Sequence, residues 1–160
     1  MSLLVWLACA PAPVPADCTP ATAADVRTRA GDYYRCVDRT LQDGAGCGRG
    51  GYPLGFGAKY ADRSFFETWD GLSPAGQDFF VAVSPCLQAR MAESIEPGST
   101  CDAVWELGFS THADCYVESG FCDLPTDDLL AINAMFDDAD RELPEFGDQT
   151  SDVLAACAAR

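Results

Sequence analysis

Nine cysteines and one histidine carry most of the reactive side-chain chemistry of this 160-residue chain. The cysteines are Cys9, Cys18, Cys36, Cys47, Cys86, Cys101, Cys115, Cys122 and Cys157, with no C-x-x-C pair, and His112 is the only imidazole. Zinc sites use paired cysteines or Cys/His sets at short spacing, so the pattern points to disulfides and an oxidising compartment. No resident metal or cofactor is expected. His112 could activate water as a general base if a carboxylate or cation stood beside it. The run Cys47-Gly48-Arg49-Gly50-Gly51 could offer backbone carbonyls to Ca²⁺. Asp137, Asp138, Asp140 and Glu142 echo part of a Ca²⁺ loop, but Leu143 stands where an EF-hand needs Gly and no Glu closes the loop. That cluster reads as a solvated helix end. No Ser-His-Asp or Cys-His set assembles, because the cysteines are committed to bridges.

An apolar fraction of 48% excludes a disordered chain, and a formal charge of −15 argues against nucleic acid and anionic membrane surfaces. The balance suits an exported protein, or one that meets a basic partner or Ca²⁺. Residues 2–8 form an apolar run too short to span a bilayer. Together with Leu7-Ala8-Cys9 it resembles the lipobox of bacterial lipoproteins, in which the cysteine is lipidated. Cleavage after Ala10 or Ala16, with plain secretion, remains the alternative. Pro11, Pro13 and Pro15 then make a stiff spacer. Residues 1–17 are thus read as leader and tether, and 18–160 as a single cysteine-rich domain. Removing Cys9 leaves eight cysteines, an even number.

The elements that must place these residues read as helices. Thr19-Pro20 suggests a helix start, followed by Val26, Ala30, Tyr33, Tyr34, Val37 and Leu41 at helical spacing, with a break possible at Gly31-Asp32. Residues 44–57 hold seven glycines and Pro53 but no phosphate-binding motif, and are expected to be a plain loop. Tyr60, Phe65, Phe66 and Trp69 mark a short helix. Ser73-Pro74 caps the next, in which Pro85 should kink or restart the rod. Pro97-Gly98 is a turn, and Ser99-x-x-Asp102 resembles a capping box. Asp127 and Asp128 fall in the first turn of a further helix, where its dipole favours them. The last helix is expected over about 149–159. Strand alternation is absent, so the fold class is all-α: a disulfide-stapled bundle of five to seven short helices.

From Cys86 onward the cysteines are separated by 14, 13, 6 and 34 residues, with Gly76 and Phe79 before Cys86 and Asp114-Cys115-Tyr116 at the second interval's end. This constellation, spanning Leu72 to Cys157, resembles the stanniocalcin family of secreted, cysteine-rich helical hormones. The family's glycosylation sequon is replaced by Asp38-Arg39-Thr40. The resemblance implies Cys86–Cys115, Cys122–Cys157 and a bridge from Cys101 back to the N-terminal region. Antiparallel helices around Pro97-Gly98 suit the first, and Cys122 and Cys157 fall at one end of such a pair. The family pattern leaves Cys47–Cys101 and Cys18–Cys36. The latter needs the chain to turn back near Gly31, because a continuous helix from Pro20 would part its cysteines by about 25 Å. Cys18–Cys47 with Cys36–Cys101 stays open.

His112-Ala113-Asp114-Cys115-Tyr116 is also similar to the H-D-x-C-Y helix of secreted calcium-dependent phospholipases, whose glycine-rich calcium loop resembles Cys47 to Gly51. Here Ala113 follows the histidine, so the carboxylate is displaced by about 100° around the helix. His112 is therefore read as a surface or boundary residue. The first expectation is an exported, stanniocalcin-like binding or regulatory protein without catalytic activity, acting through contacts with a protein partner. Its place is extracellular, cell-surface or periplasmic, touching membrane only through a lipid on Cys9. The alternative is a calcium-dependent secreted lipid hydrolase using His112.

Overall fold

A computed structural model describes residues 18–96 and 98–160. The apolar run 2–8, Cys9, the proline spacer and Pro97 lie outside the described residues. Among the described residues every regular element is helical. The α-helices are α1 (Val26–Arg29), α2 (Asp32–Asp38), α3 (Lys59–Arg63), α4 (Pro74–Ser94), α5 (Cys101–Ser110), α6 (His112–Glu118), α7 (Thr126–Ala134), α8 (Asp138–Arg141) and α9 (Pro144–Ala158). Short 3₁₀ and π-helical turns join them, and divide the anticipated rods into smaller pieces.

Local chemistry explains most boundaries. Ser73 accepts from the Gly76 amide and Pro74 opens α4, as the sequence suggests. Thr100, not Ser99, caps α5 by accepting from the Ala103 amide. Thr19-Pro20 does not start a helix. The chain first becomes α-helical at Val26, after Asp25 has accepted from the Thr22 amide and hydroxyl. The last helix begins five residues before Gln149, because Pro144 supplies a preset first turn. Pro85 does not restart α4, which runs as one helix from Pro74 to Ser94. Phe79, Phe80 and Val83 before it, and Gln88 and Met91 after it, are all buried, so both halves are held against one core.

The expected loop 44–57 is helical from Tyr52, with π-helical turns at Pro53–Ala58 and Ser64–Thr68 flanking α3. Its glycines serve packing as well as turning. A Cβ on Gly57 would lie 2.5 Å from the Tyr34 ring, so α2 approaches this segment only because the side chain is missing.

The buried apolar residues form one cluster. Its N-terminal flank is tied in by Gln88, which has no exposed surface. That amide accepts from the Ala21 amide at 2.7 Å and donates to the Ala30 carbonyl at 3.1 Å. Disulfides join Cys18 to Cys36, Cys47 to Cys101, Cys86 to Cys115 and Cys122 to Cys157. The first closes across the break between α1 and α2 at Gly31, with its Cα atoms 5.3 Å apart. Each bridge contributes about 2–4 kcal/mol. Four of them place the folded chain in an oxidising environment, and no helix among the described residues is long and apolar enough to cross a membrane.

Candidate functional site

His112 opens α6 and is 3% exposed, so the surface or boundary reading is corrected. It stands three residues after Phe109 and four before Tyr116, on the apolar face that runs through α5 and α6. Its Nδ1 lies 3.3 Å from the Phe109 carbonyl, which can only accept, so Nδ1 carries the hydrogen. Nε2 is then an acceptor facing the Tyr52 hydroxyl at a long 3.5 Å. The rings of Tyr52, Phe56, Phe109 and Tyr116 surround it at 5.7–6.4 Å between centroids. Burial pulls its pKa down from 6.5 to about 4, against the opposing hydrogen bonds to backbone. The imidazole is therefore neutral at pH 7. A cavity of about 40 Å³ beside it is walled mostly by aromatic rings.

The fold does bring the glycine-rich run close to this histidine, because Tyr52 directly follows Gly51. Its polar groups are arranged for another task. The Cys47 and Gly48 amides donate to Oδ1 of Asp38 at 2.9 and 3.0 Å. The Gly48 and Gly51 carbonyls accept from the Gly51 and Gly55 amides. Those carbonyls already serve as internal acceptors, and Asp114 is exposed on the outer side of α6. Among the described residues no group of three or more His, Cys, Asp or Glu could hold a metal ion.

The acidic cluster after α7 is not simply solvated. Lys59 reaches Asp137 at 2.5 Å and Asp140 at 2.6 Å, and Arg63 reaches Asp137 at 2.8 Å. Tyr60 donates to Asp140 while accepting from the Asp137 amide. Hydrogen bonds from Lys59 and Arg63 hold the Asp137 carboxyl down at about 2. Asp138 pairs with Arg141. Asp128, in the first turn of α7, is 2% exposed and accepts from both the amide and hydroxyl of Ser73. It therefore locks α7 to the start of α4.

On the face next to this network, five of the ten cationic side chains line one groove of about 720 Å³. They are Arg35 and Arg39 from α2 and its end, Arg49 from the glycine-rich turn, and Lys59 and Arg63 from α3. Asp38 and Asp62 lie among them but are occupied: Asp38 anchors the turn, and Asp62 binds Arg35 and the Gly31 amide. Arg35, Lys59 and Arg63 have carboxylate partners. Arg39 and Arg49 are exposed and have no acidic partner among the described residues, on a chain with 25 Asp and Glu. The Cys47–Cys101 bridge and the Asp38 contacts hold the turn that carries Arg49.

Sequence reasoning did not assemble this groove, although a signal existed. Arg35/Arg39 and Lys59/Arg63 are i,i+4 pairs, each presenting two cations on one helical face. No protein-family model matches this chain, and no curated protein or solved structure matches it either.

Proposed function

We propose that this chain is an exported, stanniocalcin-like binding or regulatory protein that works through protein–protein contacts, with the basic groove receiving acidic side chains of the partner. One observation carries the reading: half of the few cations are gathered on one face, and two arginines there are left without carboxylates. In an acid-rich molecule nearby Asp and Glu would ordinarily neutralise them. The four bridges support a rigid frame for such a face. Their order from Cys86 onward, and the Cys47–Cys101 link, agree with the pairing that the family resemblance implies. Cys9 would either carry a lipid or leave with a cleaved leader, which the mass of the mature N-terminus distinguishes.

The test is binding of a fluorescent oligoglutamate peptide to the oxidised protein at low salt. Binding that weakens with added salt and is lost in R39E/R49E is the expected result. Equal binding by that variant, or none by the wild type, removes the groove from the proposal. For the hydrolase alternative, Ca²⁺-dependent esterase activity abolished by H112Q would replace this function with a catalytic one.

A further inference from the structure

Among the described residues, Gln42 and Asp43 are the two that have a positive φ without being glycine, at 53° and 55°. They are the central residues of a turn closed by the Gly44 amide, which donates to the Leu41 carbonyl at 3.0 Å. A left-handed turn of this kind suits Asn, Asp or Gly at its centre, and Gln is a poor substitute. Residues Gln42, Asp43, Gly44 and Ala45 are all exposed. The Asp43 carboxylate has no partner among the described residues, and the Gln42 side chain makes a 3.5 Å approach to Cys101 Sγ. A short exposed turn held in a disfavoured conformation opens locally at low cost.

The chain holds a second Asp-Gly pair, Asp70-Gly71, which is also exposed. That pair belongs to the 3₁₀ turn Trp69–Gly71, where neither residue has a positive φ. The turn is held through Trp69. Its ring stacks on Phe65 with centroids 5.4 Å apart, the Arg27 guanidinium lies 4.2 Å over it, and its carbonyl accepts from the Gln77 side-chain amide at 3.2 Å. We infer that Asp43 is a site of spontaneous isoaspartate formation, while its setting protects Asp70 from the same reaction. When the strained turn opens, the Gly44 amide is released from Leu41, and with no side chain on Gly44 its nitrogen is unhindered. That nitrogen attacks Asp43 Cγ. The new C–N bond closes a five-membered succinimide, and the carboxyl hydroxyl leaves as water with the amide hydrogen. Water then adds at the Asp43 main-chain carbonyl carbon and breaks its bond to the Gly44 nitrogen. The main chain now runs through the former side-chain carbonyl, the α-carboxyl is free, and the mass is unchanged. Water is the one co-reactant, released in the first step and taken up in the second. This site does not depend on the groove reading.

The experiment ages the full, oxidised chain at neutral pH and body temperature, then reduces it and digests it with trypsin. The two pairs fall in separate peptides, 40–49 and 64–90. Isoaspartate in each is quantified by electron-transfer fragmentation and by labelling with an isoaspartyl methyltransferase. It should accumulate in 40–49 roughly tenfold faster than in 64–90, with a transient species lighter by one water. In urea, with the bridges reduced, the two rates should converge. Gln42→Gly should slow the native reaction, because glycine accepts the left-handed turn without strain. Equal native rates, no isoaspartate in 40–49, or a preference that survives unfolding would each overturn the inference, as would a faster reaction in Gln42→Gly. The wild-type comparison of folded and unfolded chain decides the matter even if the variant fails to fold.

Discussion

His112 and Asp137 lie on opposite sides of Tyr60, and the two regions hold their charge states by opposite means. On one side Tyr60 packs against Phe56 and Phe136, with ring centroids 4.7 and 4.5 Å away, in the aromatic cluster that encloses His112. The imidazole there is neutral because water is excluded. On the other side the Tyr60 hydroxyl enters the Lys59, Arg63, Asp137 and Asp140 network. The Asp137 side chain is 49% exposed, and its carboxylate is ionised because cations are paired with it. Exclusion of solvent acts regardless of salt and fails when a proton is forced in. Pairing in water is screened by salt and changes little when one partner is removed.

The largest expected effect comes from forcing a proton onto the dry side. The unfolded imidazole has the higher pKa, 6.5 against about 4 folded, so the unfolded state binds more protons between those values. Stability is then full above pH 6.5 and falls as pH drops toward 4. The loss is on the order of 3 kcal/mol, since each tenfold difference in proton affinity between the two states is worth about 1.4 kcal/mol. Urea midpoints measured across that range should show the slope in the wild type and a flatter one in His112→Phe. Equal slopes would mean that His112 is not desolvated as described.

A smaller break of the same region is Gly108→Ala. A Cβ there would lie 2.3 Å from the Tyr52 ring, which is itself 2% exposed in a packed cluster. Overpacking of this kind costs about 2 kcal/mol. A fall in thermal midpoint, with perturbed aromatic signals of Tyr52 and His112, is expected.

On the wet side Asp140→Asn keeps the shape but weakens what Tyr60 and Lys59 donate to. Because the Asp140 side chain is 22% exposed, the expected loss is about 1 kcal/mol by urea unfolding. Lys59→Met should be the mildest change, below about 1 kcal/mol, and should shrink further in high salt. A salt-independent loss of several kcal/mol would erase the contrast between the regions. The acid dependence of the wet side should also sit lower. Asp137, pulled to about 2 by its cations, contributes stability above the ordinary carboxylate pKa of 3.8 that fades only as pH falls toward 2.

Much of the frame is legible along the chain. The even cysteine count left after Cys9, the Ser73-Pro74 cap and the periodic apolar residues of α4 through α9 all act over a few residues. Local rules therefore read them well. His112 is misplaced when a lone polar residue is judged by its type rather than by its neighbours three and four positions away. Phe109, Cys115 and Tyr116 put it on a buried stripe. The acidic run escapes a local reading because its partners, Lys59 and Arg63, lie more than seventy residues earlier. Residues 52–57 read as a loop only while glycine is equated with freedom, whereas Gly57 makes room for Tyr34.

By itself, the sequence determined that the chain is helical, rich in bridge-forming cysteines and strongly acidic. Those properties follow from residue type, count and a 1.5 Å rise per residue. Only the tertiary structure decided that Cys18 meets Cys36 and Cys47 meets Cys101. Only it decided that His112 is dry while Asp137 is wet, and that five cations share one groove. Burial and pairing depend on groups brought together from distant parts of the chain, and their free energies arise where solvent is removed, which no local spacing records.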